Sequence, residues 1–147
     1  MADDAKSKLK MRTVDHIGIV VKDARKVAAA WESMMGIGPW TFTETGGATP
    51  GGEEVKVLLG FAYSENGVEL ELIEIAQGRI LHSDFLDLTG GGLHHLAYIV
   101  DDVDGEAAKL VAEGAEIVLS QPGAFAYLRF EDDGGVIFEL MKGRATP

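Results

Sequence analysis

The 147-residue sequence predicts an α+β fold: two tandem βαβββ modules whose strands form one curved mixed sheet, with the helices outside. Three observations carry that prediction. Residues 14–23, VDHIGIVVKD, match residues 93–102, LHHLAYIVDD, so that His16 falls on His95, Gly18 on Ala97, Val20 on Ile99 and Asp23 on Asp102. Residues 67–73, GVELELI, match residues 135–141, GVIFELM, and bring Glu71 onto Glu139. Each half has a stretch of helical spacing after its first strand, and then three strand candidates. Along the chain the order is therefore His, Glu, His, Glu, one of each per half. Neither half carries enough apolar surface to fold alone, so the two are expected to pack as a single domain over residues 14–143. Repeat one covers about 14–76 and repeat two about 92–142, after an N-terminal tail, 1–13, rich in charge.

Residues 14–21 form the first strand, with His16 on one face and Ile17, Ile19 and Val21 on the other. Asp23 has the chemistry of an N-cap for ARKVAAAWESMM, where Val27, Ala30, Trp31 and Met34 repeat at helical spacing and Gly36 supplies the stop. A short strand over 40–44 precedes TGGATPGGEE, which lacks the GK[ST] ending of a phosphate-binding loop and is expected as mobile surface chain. Strands over 55–61 and 68–75 follow, joined by a hairpin at Asn66-Gly67. In the second of these, Glu69, Glu71 and Ile73 share a face. The ordinary expectation for such a face is solvent; the repeat singles out Glu71 and gives Glu69 no such support.

A short helix over 79–88 leads to the second half. There GGLHHLAYIVDD supplies a strand with His95, Ala97 and Ile99 on one face and His94 on the other. Asp102 caps a helix whose stripe is Val103, Ala107, Leu110 and Val111, ended by Gly114. Strands near 116–119, 125–130 and 135–141 complete the module, the last turn being Asp133-Gly134.

Composition narrows the partners. With 46% hydrophobic and 25% charged residues the chain has an ordinary globular composition, and no apolar run approaches the ~20 residues of a membrane helix. No signal-peptide pattern opens the sequence, there is no cysteine, and the expected compartment is the cytoplasm. A net charge of −11 argues against nucleic acid, and an anionic substrate would need a local basic patch.

With His16, Glu71, His95 and Glu139 in a repeated βαβββ frame, the sequence resembles the vicinal oxygen chelate superfamily over residues 14–142. That superfamily includes glyoxalase I, methylmalonyl-CoA epimerase, extradiol dioxygenases, and fosfomycin-resistance and bleomycin-binding proteins. DHIGIVVKD, GGLHHLAYIVDD and GGVIFELM are most similar to the epimerases. The resemblance implies one divalent metal ion held inside the sheet by His16, Glu71, His95 and Glu139, with His94 structural. Two imidazoles and two carboxylates suit Co, Ni, Zn, Mn or Fe and leave positions for water or substrate. It also implies proton abstraction next to a carbonyl of a small acyl thioester such as an acyl-CoA, with Glu139 and Glu71 as catalytic carboxylates, in a homodimer. The alternatives, in order, are a glyoxalase I-type isomerase or lyase, an extradiol-type dioxygenase, and a non-catalytic binding protein. The sequence departs from the epimerases at EEVKVLLGFAY, where Lys56 stands in place of a second acidic group and Glu44 and Glu54 are the substitutes. It departs again at AFAYLRFEDDGG, which brings Tyr127 and Arg129. Lys56, Arg79, Arg129 and Lys142 are the cations available to a phosphate-bearing substrate.

Overall fold

A computed structural model describes residues 14–63, 65 and 67–143; the charged tail over 1–13 lies outside them. Eight strands and three helices follow the order β1(His16–Val20), α1(Ala24–Met35), β2(Thr41–Ala48), β3(Glu54–Tyr63), β4(Glu69–Gln77), α2(Leu81–Thr89), β5(Gly92–Val100), α3(Val103–Ala112), β6(Glu116–Gln121), β7(Phe125–Arg129) and β8(Ile137–Lys142). The fold is α+β, each half reading βαβββ, with α2 between the halves. Two compact units result, one spanning His16–His94 and the other the described residues from 95 onward together with Val14 and Asp15. The division falls inside β5.

In the first unit the strands run in the order β2-β3-β4-β1. β1 pairs with β4 in parallel, while β3 is antiparallel to both β2 and β4. Alternation along the strands separates two clusters. Ile19, Leu58 and Leu72 pack with Ala24 and Ala28 of α1, whereas Val20, Val57 and Ile73 pack with Phe85 and Leu86 of α2. The start of α1 follows from Asp23, whose side chain accepts a hydrogen bond from the Lys26 amide at 3.0 Å. Its end follows from Gly36 in the left-handed region, φ 69°.

The buried stripe of α1 differs from the expected one. Ala24, Val27, Ala28 and Trp31 face the sheet, while Ala30 is exposed and Met34 is 82% exposed. The helical spacing was sound, but the stripe begins three residues earlier because two alanines allow the helix axis close to Leu72. The glycine-rich segment is also ordered differently. Strand β2 runs on through Gly46 and Gly47, paired with Lys56 and Val55, so only residues 49–53 form the turn. A Cβ on Gly46 would run into the Val55 carbonyl, which is why glycine there marks strand pairing and not a loose loop. Of the expected Asn66-Gly67 hairpin, Ser64 and Asn66 lie outside the described residues, although β3 and β4 are paired as that turn requires.

The second unit repeats the plan with the order β5-β8-β7-β6, β5 parallel to β8 and the remaining neighbours antiparallel. Asp102 caps α3 by accepting from the Gly105 amide at 3.0 Å. Val103 and Ala107 are buried with Ala126, Leu128 and Leu140, and Leu110 packs against them. Val111, expected in that stripe, is 43% exposed, because Leu110 already takes the sheet-facing position on the last turn. Asp133 shapes the last turn by accepting from the Phe130 and Gly135 amides, contacts that hold its carboxyl below the usual range.

Candidate metal centre

Each unit brings one histidine and one repeated glutamate together. In the first, parallel pairing sets His16 beside Glu69 and Gly18 beside Glu71. Paired residues project from the same face, which puts Glu71 on the face that carries His16. His16 Nε2 and Glu71 Oε2 are 3.8 Å apart, with side chains 3% and 12% exposed. In the second unit the register repeats: His95 stands beside Ile137 and Ala97 beside Glu139. His95 Nε2 and Glu139 Oε1 are 3.4 Å apart, and His95 is fully buried. Tyr127 packs edge-on to the His95 ring at 5.1 Å between centroids, and Phe125 packs on Tyr127 at 5.6 Å.

The donor chemistry fits a divalent cation. Two N or O donors each about 2.1 Å from one ion stand about 3.0–3.4 Å apart, close to the spacing of both pairs. Burial removes competing water, and borderline nitrogen with hard oxygen suits first-row divalent metals.

The neighbouring histidine has different surroundings. His94 is fully buried, and its ring stacks on His82 at 4.3 Å and meets the edge of Phe85 at 4.9 Å. Burial lowers the His94 pKa to about 4. It lowers His82 to about 3, the neighbouring His94 adding to the effect. Both rings are therefore neutral at pH 7.

Glu69 is the residue that sequence reasoning passed over. It is 1% exposed, and one ligand atom each of His16, Glu69 and Glu71 lie within 4.8 Å of one another. The expected solvent face does not exist there, because β4 lies between β3 and β1 and is covered on both sides. Two alternating glutamates inside a strand otherwise rich in Leu and Ile were the available signal. Glu44 and Glu54, by contrast, are exposed and line a groove of about 490 Å³ with Lys56 along β2 and β3. The other cations are surface groups: Arg79 binds Asp84 at 2.8 Å and Asp87 at 2.6 Å, Lys56 lies 3.9 Å from Glu54, and Arg129 and Lys142 are exposed. No helix among the described residues is long and apolar enough to cross a membrane.

The architecture is thus a tandem βαβββ frame with one histidine–glutamate pair per half. Residues 15–130 match the Glyoxalase/Bleomycin resistance protein/Dioxygenase superfamily, and the chain belongs to it. Among curated relatives, it is 29% identical over 136 residues to the uncharacterized protein YqjC of Bacillus subtilis (strain 168), covering 88% of this chain and 91% of YqjC. To the uncharacterized protein YwbC of the same strain it is 28% identical over 136 residues, covering 89% and 98%. Among solved structures, a Streptomyces coelicolor methylmalonyl-CoA epimerase variant in complex with 2-nitronate-propionyl-CoA superposes with a TM-score of 0.66 at 23% identity, over 90% of this chain and 97% of that one. The Mycobacterium tuberculosis methylmalonyl-CoA epimerase gives 0.65 at 20% identity, over 94% of each chain. A mutant of 4-hydroxymandelate synthase from Streptomyces coelicolor gives 0.65 at 19%, over 92% of this chain and 50% of that one. At these identities the likeness is one of fold.

Proposed function

We propose that the chain is a divalent-metal-dependent isomerase that removes a proton next to a carbonyl of a small acyl thioester, with residues 14–143 acting as one domain. His16, Glu71, His95 and Glu139 are the proposed ligands of one ion. The observation that supports this most is the duplication of a buried histidine–glutamate pair in the same strand register in each unit, beside Gly18 in one and Ala97 in the other. Small residues there leave room for a substrate beside the donors. The epimerase structures of like fold favour a thioester; one of them holds 2-nitronate-propionyl-CoA.

A bound divalent cation would supply positive charge opposite the carbonyl oxygen as negative charge builds there. The chain's own part is proton transfer and orientation. Glu139 is the proposed base, because it is 7% exposed and adjoins His95, whose ring is wedged by Tyr127. The Tyr127–Phe125 pair keeps the imidazole in one orientation and shields it from water. Glu71, in its protonated form, is the proposed acid that delivers a proton to the opposite side of the planar intermediate, while Glu139 keeps the proton it has taken until solvent removes it.

Metal-loaded protein should exchange the α-proton of an acyl-CoA with deuterium oxide, followed by NMR or mass spectrometry. Glu139→Gln should keep part of the metal affinity, since an amide oxygen still coordinates, and lose exchange by about 10²-fold or more. Oxygen consumption with a catechol, in protein that exchanges no acyl-CoA tested, would replace this proposal with a dioxygenase.

A further inference from the structure

The proposed ligand set takes one carboxylate from each half, but the halves are not alike in their charged groups. In the second unit the residue paired with His95 is Ile137. In the first, the equivalent residue paired with His16 is Glu69. The backbone register is the same, so Glu69 leaves the sheet on the face that carries His16 and Glu71. It is buried to the same degree as the histidine: Glu69 is 1% exposed and His16 is 2%. A carboxylate so far from solvent is costly as a charge, and a cation shared with neighbouring donors offsets that cost.

The geometry points to Glu69 as a further metal ligand, making the first half a three-donor arm of His16, Glu69 and Glu71. The three offer donor atoms that all lie within 4.8 Å of one another, a spread that one ion can span. Flanking strands fix this arm: Glu69 is paired with Tyr63 and Glu71 with Phe61 on β3, while β1 holds His16 on the other side. With two carboxylates to one imidazole, the arm is harder than the pair in the second half. It favours manganese, iron or cobalt over softer, sulfur-seeking ions. A third carboxylate also turns the site's charge, with a divalent ion bound, from neutral to −1 by formal count. An incoming ligand would then bind best through neutral oxygens, such as a thioester carbonyl.

This inference rests on the metal-binding proposal, and its test separates the two. Cobalt(II) is titrated into the full chain after chelator treatment, with affinity followed by calorimetry and donor number by visible ligand-field bands. Glu69→Gln should weaken binding by at least about tenfold and shift the bands, because a charged donor is lost from the ion. Unshifted bands in Glu69→Gln would overturn the inference even with weaker binding, since a merely nearby charge alters affinity but not coordination. If Glu69→Gln does not fold, Glu69→Asp carries the same test: it keeps the charge, retracts the carboxylate by one methylene, and should likewise shift the bands. Wild-type protein that binds no divalent metal would remove the metal proposal and this inference together. Wild-type binding with unshifted variants removes this inference alone.

Discussion

His94 and His95 are adjacent in sequence and chemically identical, yet their rings meet different neighbours. His95 faces Glu139 at 3.4 Å, whereas His94 stacks on His82 at 4.3 Å beneath Phe85. His95→Ala should therefore abolish the affinity contributed by its half of the site while leaving the chelator-treated protein folded. His94→Ala should retain metal binding and lose about 2–4 kcal/mol of stability, because it opens a cavity among buried rings. Paired metal titration and denaturant unfolding would check both, and a reversed pattern would mean the strand register is wrong by one residue. The closeness of His16 to Glu71 and of His95 to Glu139 was legible in the sequence because duplication marks these residues. The burial of Glu69 was not, since it depends on where β4 lies among its neighbours. A strand's own pattern does not show whether it is flanked on both sides.

At the scale of elements, α2 and β5 are joined through a pair of buried, neutral imidazoles. His82 and His94 have pKa values lowered to about 3 and about 4 by burial. In the unfolded chain both would titrate near the ordinary value of about 6.5. The unfolded state thus binds more protons below that value, so this contribution to stability is complete above about pH 6.5 and is lost as pH falls toward 4. Calorimetric melting of chelator-treated protein should show a melting temperature that drops through this window as stability falls by about 1 kcal/mol per pH unit for each histidine. His82→Phe should flatten the slope, and an unchanged slope would mean the pair is not the cause. Element types and order were readable from caps, turns and periodicity. The misplaced α1 stripe and the underestimated length of β2 share a cause: alanine and glycine carry little hydrophobic signal of their own, yet Ala24, Ala28, Gly46 and Gly47 all lie at close contacts or strand pairings.

For the whole molecule, duplication made the tandem plan legible before any coordinate, because each repeat states the same strand, helix and carboxylate in the same order. What lay beyond it is which charges are already engaged. The chain carries 13 basic against 24 acidic residues, and Arg79 is held between Asp84 and Asp87. A guanidinium so committed attracts a polyanion weakly. In kinetic terms, the proposed acyl-CoA substrate would diffuse toward a repelling surface, and dissolved salt shortens the reach of that repulsion from about 30 Å at 0.01 M to about 10 Å at 0.1 M. Its association rate, followed by stopped flow, should accordingly rise with ionic strength, the opposite of the usual response of a basic binding site. Neutralising both carboxylates, as Asp84→Asn with Asp87→Asn, should raise the low-salt rate by releasing Arg79. A rate that falls with salt in the unaltered protein would mean that Lys56, Arg129 or Lys142 already forms a local attracting patch, and that encounter is steered there.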